Sequence, residues 1–282
     1  MGPAGTNPVR ERPQAVLTAR RGWRGLGLHE IYPWRGLLWA LVWRDIRSRY
    51  RRAVLGVLWA LVRPVATTAV FSLLLGSLAG VDADGQPYVI YAFTGMLAWG
   101  FFATAVQAAS VSVIGAGSLV TKVYFPRVLI PLASVGSATV DFLVGTLALG
   151  ALLAWHGVPA CPGLALAPLA MLWVALVACG VGILLAGLVA LYRDLGHAMA
   201  FLMQVWLYLT PVLYPLSLLP GGWRTLACLN PMTGPVEAFR AAVLGVPLDV
   251  GCLATSAGVG GMLLCAGLLV FARVERRLAD LL

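Results

Sequence analysis

Charge is missing from long stretches of this chain, and that absence limits the fold more than any motif does. Residues 85–121 run 37 positions without Asp, Glu, Lys or Arg, and residues 142–192 run 51. Shorter gaps cover 64–81, 195–223 and 250–272, while 128–140 lead up to a lone Asp141. A soluble domain carries about a quarter of its residues as charges; this chain carries 11%, against 60% hydrophobic residues. A membrane span takes about 20 apolar residues. Six spans with short connections therefore use nearly all of the 282 residues, which argues against a large soluble catalytic domain. The longest gap is divided by a turn at Trp155-His156-Gly157-Val158-Pro159 and Pro162. The spans are expected near 57–79, 88–112, 128–154, 164–191, 197–218 and 250–272, in an all-α integral membrane protein with six transmembrane helices.

The basic residues orient that bundle. Of 20 Lys and Arg, 11 precede the first span, and Lys122, Arg127, Arg193, Arg273, Arg276 and Arg277 fall on the same side. The other side holds only Arg224 and Arg240, and its first loop is acidic at Asp82 and Asp84. Positive residues stay cytoplasmic, so both termini are expected in the cytoplasm of a multi-pass protein. The net charge of +9 is then a matter of topology, and nucleic acid is not an expected partner.

Three segments depart from plain spans. Residues 1–36 read as a basic cytoplasmic tail, too polar early on for a cleavable signal; contact with anionic membrane lipids is the alternative to a merely topogenic role. Over 37–52, Trp39, Trp43, Ile46 and Tyr50 share one helical face while Arg44, Asp45, Arg47, Arg49 and Arg51 fill much of the rest. That pattern predicts an N-terminal interfacial amphipathic helix, apolar face down and guanidinium groups toward headgroups and water. The remaining domain is 53–282. Within it, residues 220–249 are too punctuated to span and too apolar for a loop. Pieces near 223–229 and 233–245 suggest an exterior re-entrant helical hairpin between helices five and six, since irregular backbone at membrane depth needs protein or a wet cavity around it. Asp141, deep in the third helix, should face the bundle interior or a wet path. It reads either as a structural hydrogen-bonding group or as part of a translocation route. Arg63 is expected to snorkel to the interface.

Catalytic chemistry has no sequence signature here. The sole lysine, Lys122, follows Val120-Thr121 and cannot complete a phosphate-binding Gly-Lys turn. His29, His156 and His197 are isolated, and the five cysteines form no Cys-x-x-Cys pair. Cys161, Cys228 and Cys252 all fall near the exterior side, leaving room for one disulfide that nothing in the sequence requires. No metal site is expected, and the chain reads as a non-enzyme.

The order of several short motifs resembles one family: the transmembrane permease subunit of ABC-type polysaccharide and polyol-phosphate exporters, which move O-antigen, capsule or teichoic acid chains on lipid carriers. The similarity begins at Trp43-Arg44-Asp45-Ile46-Arg47-Ser48-Arg49-Tyr50 and continues through Leu55-Gly56-Val57-Leu58-Trp59-Ala60 to Pro64. Pro87-Tyr88 and Gly95-Met96-Leu97-Ala98-Trp99-Gly100-Phe101-Phe102 follow. The most specific piece is Lys122-Val123-Tyr124-Phe125-Pro126-Arg127, with Pro131 beyond; Tyr192-Arg193-Asp194, Thr210-Pro211-Val212-Leu213-Tyr214 and Asn230-Pro231-Met232 complete the set, and Arg240 lies past them.

That resemblance implies a homodimer of permease chains in the bacterial inner membrane, with two copies of a cytoplasmic ABC ATPase that bind ATP and Mg, and a lipid-linked glycan as substrate. It implies no cofactor in this chain. Residues 115–127 would form a coupling helix, with Lys122, Val123, Tyr124, Phe125 and Arg127 entering a groove on the ATPase and Arg193 and Asp194 nearby. Sugars stack their C–H faces on aromatic rings, so Trp59, Phe71, Trp99, Phe101, Phe102, Tyr208 and Tyr214, with Asp141, are conduit candidates. Each aromatic taken singly also suits an interfacial belt or packing. Trp223, Asn230, Glu237 and Arg240 would form an exterior gate. The rival readings are a drug or lipid ABC exporter and, further off, an ion-coupled transporter. The latter would want paired intramembrane charges and inverted repeats.

Overall fold

The computed structural model describes residues 32–51, 58–117, 119, 125–159 and 161–275. Of the expected tail over 1–36, residues 1–31 lie outside the described residues. Among those described, extended pairing is limited to one bridge between Ala83 and Gln86; the rest is helix and connection.

A short 3-10 turn, Tyr32–Trp34, leads into α1 (Arg35–Tyr50). Next comes α2 (Trp59–Phe71), which continues with wider π-helical turns through Ser72–Leu78. Then follow α3 (Tyr88–Gly115), α4 (Leu129–Trp155) and α5 (Ala167–Leu191), the last entered through a 3-10 turn at Pro162–Leu166. The chain closes with α6 (Asp194–Leu209), two short helices α7 (Gly221–Cys228) and α8 (Thr233–Leu244), and α9 (Val250–Glu275). Among the described residues, five helices are long and apolar enough to cross a membrane: Trp59–Leu78, Tyr88–Gly115, Leu129–Trp155, Pro162–Leu191 and Val250–Glu275. They match five of the six expected spans.

The sixth departs from expectation. A helix over 197–218 was predicted, but α6 stops at Leu209 after 16 residues, about 24 Å of rise against about 30 Å of hydrocarbon. The cause is local. Pro211 disfavours helical geometry in the residue before it, and Thr210 is extended, with φ −99° and ψ 135°.

Central to the bundle is α3, whose most apolar stretch is 83% buried, compared with 11% for that of α2. It packs against α4 and α5, and α5 packs along α9. The α5–α9 contact depends on absent side chains. A Cβ on Gly267 would lie 2.4 Å from the Gly180 carbonyl oxygen, and one on Gly180 would lie 2.8 Å from Leu264 Cα. Small residues that let backbones approach are the usual means of tight helix contact in lipid, where apolar burial gives little.

One end of the bundle is stapled. Cys228 at the end of α7 is disulfide-bonded to Cys252 in the first turn of α9, with Cα atoms 4.8 Å apart. Of the three candidate cysteines, Cys161 is free. Asp249 caps α9 by accepting from the Cys252 N–H at 3.0 Å, and it pairs with Arg224 of α7 at 2.6 Å. These bonds, the backbone N–H first and Arg224 next, hold the Asp249 carboxyl below its ordinary range. Its contribution is therefore complete above the usual carboxylate pKa and is lost as pH falls through the lower folded value.

Two cysteines should react with maleimide only after reduction, whereas Cys161, Cys179 and Cys265 are free beforehand. The same labelled mass with and without reductant would rule out the bond. Cys228→Ser with Cys252→Ser should remove about 3 kcal/mol of stability for a closure of this length, read as a lower melting midpoint in detergent.

Candidate functional site

Where α6 ends, the broken backbone is held by an arginine. Arg240 of α8 is fully buried, at 0% exposure. Its Nη1, with two hydrogens to share, lies within hydrogen-bond distance of the Tyr91 hydroxyl at 2.8 Å, the Pro211 carbonyl at 2.9 Å and Glu237 Oε1 at 2.7 Å. Its Nη2 donates to the Val212 carbonyl, and its Cζ lies 3.8 Å from the centre of the Tyr91 ring. The Tyr88 hydroxyl donates to the carbonyl of Leu213 next along. Three consecutive carbonyls freed by the break are thus taken up by side chains. Room for this exists because α3 has glycine at position 95: a Cβ there would sit 2.3 Å from Arg240 Nη2 and 2.6 Å from the Val212 oxygen.

Glu237 and Arg240 were expected at an exterior gate; they form a buried ion pair instead, since a guanidinium shut away from water must find acceptors. Asn230 is half-buried and also belongs to the joint. Its Oδ1 accepts from Trp206 Nε1 and the Met232 N–H, each at 3.1 Å, and its Nδ2 donates to Thr210 Oγ1 at 2.8 Å. Trp223 is exposed on α7. Tyr91 was not foreseen. It lies 149 positions from Arg240, and no local pattern joins them.

The aromatic candidates divide into two groups. Trp99, Phe101 and Phe102 are buried. Trp99 and Phe102 pack with Trp206 at ring separations of 5.2–6.3 Å, and Phe101 packs on Phe142 at 6.0 Å. Their faces are taken by neighbours, so within one chain they act as packing. Trp59 and Tyr208 are exposed, while Phe71 and Tyr214 are partly so. Phe71 meets Tyr208 at 6.4 Å, and the Tyr214 hydroxyl donates to the Tyr208 carbonyl at 3.1 Å. Arg63 of α2 donates to Gln204 Oε1 at 3.1 Å, and Gln204 donates onward to the Tyr208 hydroxyl at 2.8 Å. Helices α2 and α6 thus share a surface on which an arginine, a glutamine and aromatic rings are linked in a row.

Asp141 lies about 18 Å along α4, where it accepts from Arg49 Nη1 at 2.7 Å and from the Tyr50 hydroxyl. Ser134, two turns earlier on the same face of α4, donates to Asp45 at 3.2 Å. Asp45 and Arg49 were expected to face headgroups and water, but both turn to α4: Arg49 brings a cation to the half-buried Asp141, and Asp45 accepts from the Ser134 hydroxyl. Trp39 and Trp43 remain exposed, and Arg44 and Arg47 point away from the bundle, Arg47 lying 5.9 Å from the Trp43 ring centre. Helix α1 therefore has two working faces, one of them pinned by Leu41 and Val42 against Leu129, Ile130 and Ala133.

Of the expected coupling residues, Lys122, Val123 and Tyr124 lie outside the described residues. Phe125 is 3% exposed and packs with Leu41 and Leu129, so its ring serves the α1–α4 contact rather than a partner's groove. Arg127 is drawn to α9, its N–H donating to Glu275 Oε1 at 2.9 Å and its Nη1 to the Glu275 carbonyl at 2.7 Å. Arg193, at the N-cap of α6, and Asp194, its first residue, are exposed. Among the described residues, no group of three or more His, Cys, Asp or Glu is arranged to hold a metal.

Residues 36–244, from α1 to the end of α8, match the ABC-2 type transporter family. The chain belongs to that family. It is 30% identical over 263 residues to the O-antigen export system permease protein RfbA of Myxococcus xanthus, covering 90% of this chain and 98% of that protein. It is 24% identical over 247 residues to the protein of the same name from Klebsiella pneumoniae, covering 87% and 95%. This ABC-2 chain is accordingly a multi-pass membrane subunit, and the family works with a partner ATPase.

The joint predicts its own failures. Arg240→Met should cost about 3–5 kcal/mol, because Glu237 is left charged and unpaired in the core. Adding Glu237→Gln should restore part of that loss, and melting of the purified chain reads both. Gly95→Ala should cost about 1–3 kcal/mol by overpacking without changing any charge. For the partly exposed Arg49–Asp141 pair, a double-mutant cycle with Arg49→Gln and Asp141→Asn should give a coupling of about 1 kcal/mol. Additivity would show that the two residues do not interact.

Proposed function

We propose that this chain is the membrane-spanning permease of an ATP-driven exporter that carries lipid-linked O-antigen polysaccharide, or a similar surface glycan, out of the cytoplasm. The observation that carries the reading is the alignment of nearly the whole chain with export permeases whose names specify that cargo. ATP and Mg would be bound by two copies of a separate ATPase, and two copies of this chain would form the conduit in the bacterial inner membrane.

The shared surface of α2 and α6 supports a place for that conduit. The hydrogen-bonded row that joins Arg63 through Gln204 to Tyr208 is costly against lipid and belongs against protein or water. Trp59, Phe71, Tyr208 and Tyr214 would offer ring faces along which sugar C–H faces slide while hydroxyls stay wet. In this arrangement α6 and the irregular stretch after it complete a sixth crossing. Helices α7 and α8 form the exterior re-entrant pair, and the exposed face of α1, with Trp39 and Trp43, lies in the cytoplasmic interface. The excess of Lys and Arg at the opposite end from the disulfide supports cytoplasmic termini. An oxidising compartment around Cys228 and Cys252 agrees with that direction. Lys122, Val123, Tyr124, Arg193 and Asp194 would meet the ATPase.

Deleting the gene in its host and separating lipid-linked glycan on the two sides of the inner membrane tests this. Glycan should collect on the cytoplasmic side and be exported again with the wild-type gene. A variant carrying Lys122→Ala and Tyr124→Ala, leaving the buried Phe125 intact, should insert normally and fail to restore export. An unchanged glycan distribution on deletion, with no second exporter present, would reject the glycan reading in favour of a drug or lipid cargo. Full rescue by the double variant would remove only the coupling assignment.

A further inference from the structure

The disulfide-bearing end of the bundle holds a half-open cleft of about 440 Å³ whose lining includes Asp84, Ser217, Arg224, Glu237, Leu248 and Leu253. Its size falls in the ~300–1,000 Å³ range of small-molecule sites. It lies apart from the rings read above as the conduit, since none of Trp59, Phe71, Tyr208 or Tyr214 lines it. Nothing in the proposed transport path requires it to be shaped as it is.

Its charges select against most ligands. Three carboxylates line it, those of Asp84, Glu237 and Asp249. Glu237 is already paired with Arg240 and Asp249 with Arg224. The balance is close to a single negative charge, centred on Asp84, whose described contact is a long 3.5 Å one from Ser217 Oγ. A divalent cation would find most of the negative charge neutralised, and a phosphate would meet carboxylates. A neutral polyhydroxylated ligand meets neither objection. Its hydroxyls donate to carboxylate oxygens, which are acceptors only, and the leucines and Pro247 give its C–H faces an apolar wall. Replacing the weak Ser217–Asp84 contact sacrifices little.

The walls are also fixed in advance. Glu237 is only 8% exposed, its carboxylate is held by Arg240, and it still forms part of the cleft surface. Asp249 is fixed by the Cys252 N–H and Arg224, and Cys252 is tied to α7 by the disulfide. A site whose polar groups are immobilised beforehand loses little side-chain freedom when it binds, so the cleft can hold a sugar unit without first ordering its walls. We propose that this cleft is a subsite for sugar units of the exported glycan as they leave the conduit, an inference that rests on the function proposed above.

Binding to the full-length chain in lipid nanodiscs tests it. The probe is delipidated polysaccharide released by mild acid from the host's own surface glycan, with dextran as the control polymer. Wild type should bind the host glycan saturably. Asp84→Asn with Ser217→Ala, and separately Leu248→Trp, which fills the cleft without touching the Arg240 joint, should each weaken binding at least tenfold while keeping the disulfide and the melting midpoint. Dextran should bind at least tenfold more weakly. No saturable binding by wild type, equal binding by the variants, or equal binding of dextran would overturn the subsite. Any of these results alongside a positive deletion experiment would leave the export function intact, whereas an unchanged glycan distribution on deletion removes the function itself.

Discussion

A carbonyl without a hydrogen-bond partner cannot be left in hydrocarbon, and the arrangement of this bundle follows from how it meets that requirement. One such place is where α6 gives out at Thr210-Pro211. There the freed carbonyls of Pro211, Val212 and Leu213 are met by Arg240 and Tyr88. A buried arginine makes several donors available from one position, but it brings a charge that itself needs compensation. Glu237 provides it from one turn earlier on α8, and Tyr91 adds its ring face and hydroxyl. The break, the buried charge pair and the glycine at 95 are thus one structural solution spread over three segments. Removing the charge without replacing its donors would reopen the first problem.

The same rule operates at α4 with the roles reversed. Here the isolated group is a carboxylate, Asp141, and the donors come from a different helix. Arg49 and Tyr50 reach it from the end of α1, so a helix with the composition of a surface element is tied to the bundle at its C-terminal turn. Helix α1 also covers Phe125 and the start of α4, and Arg127, two residues after Phe125, reaches Glu275 at the end of α9. The segment leading into α4 is therefore in contact with both α1 and α9. A push on the residues just before it would be felt by two helices, a property a coupling segment requires.

Legibility in the sequence followed the range of each interaction. Charge-free runs report burial in lipid residue by residue, so five crossing helices could be located from them. The hairpin-like division of 220–249 was visible because Pro and Gly mark it locally, and α7 and α8 fall close to the expected pieces. The end of α6 is not marked by hydropathy, because the residues on both sides of Thr210-Pro211 stay apolar; only the backbone restriction that Pro211 places on Thr210 sets the break. Partners far apart in the chain were not legible. Glu237 and Arg240 were expected at an exterior gate; their own pairing is local, but the further acceptors of Arg240, on α3 and after α6, lie 28 to 149 positions away. Asp45 and Arg49 looked solvated for the same reason. The pairing of Cys228 with Cys252 in preference to Cys161 likewise depends on where α7 meets α9.

What remains unsatisfied within one chain is as informative as what is satisfied. Helix α2 shares little of its surface with the rest of the bundle, and much of that exposed surface is Val and Leu, which lipid accepts without cost. Arg63 and Gln204 are different. Their hydrogen bonds run along the outside of the α2–α6 pair rather than into the core, so the charge on Arg63 has no carboxylate against it among the described contacts. An arginine near a helix end can reach the interface, but the glutamine and tyrosine it is linked to continue the polar row away from that end. A row of this kind is stable against water or another polar surface and poorly suited to acyl chains. In the dimer proposed above, a second copy of the same surface, facing the first across a wet gap, would supply that environment. The feature that makes the single chain look incomplete is thus the one that a conduit between two chains would need.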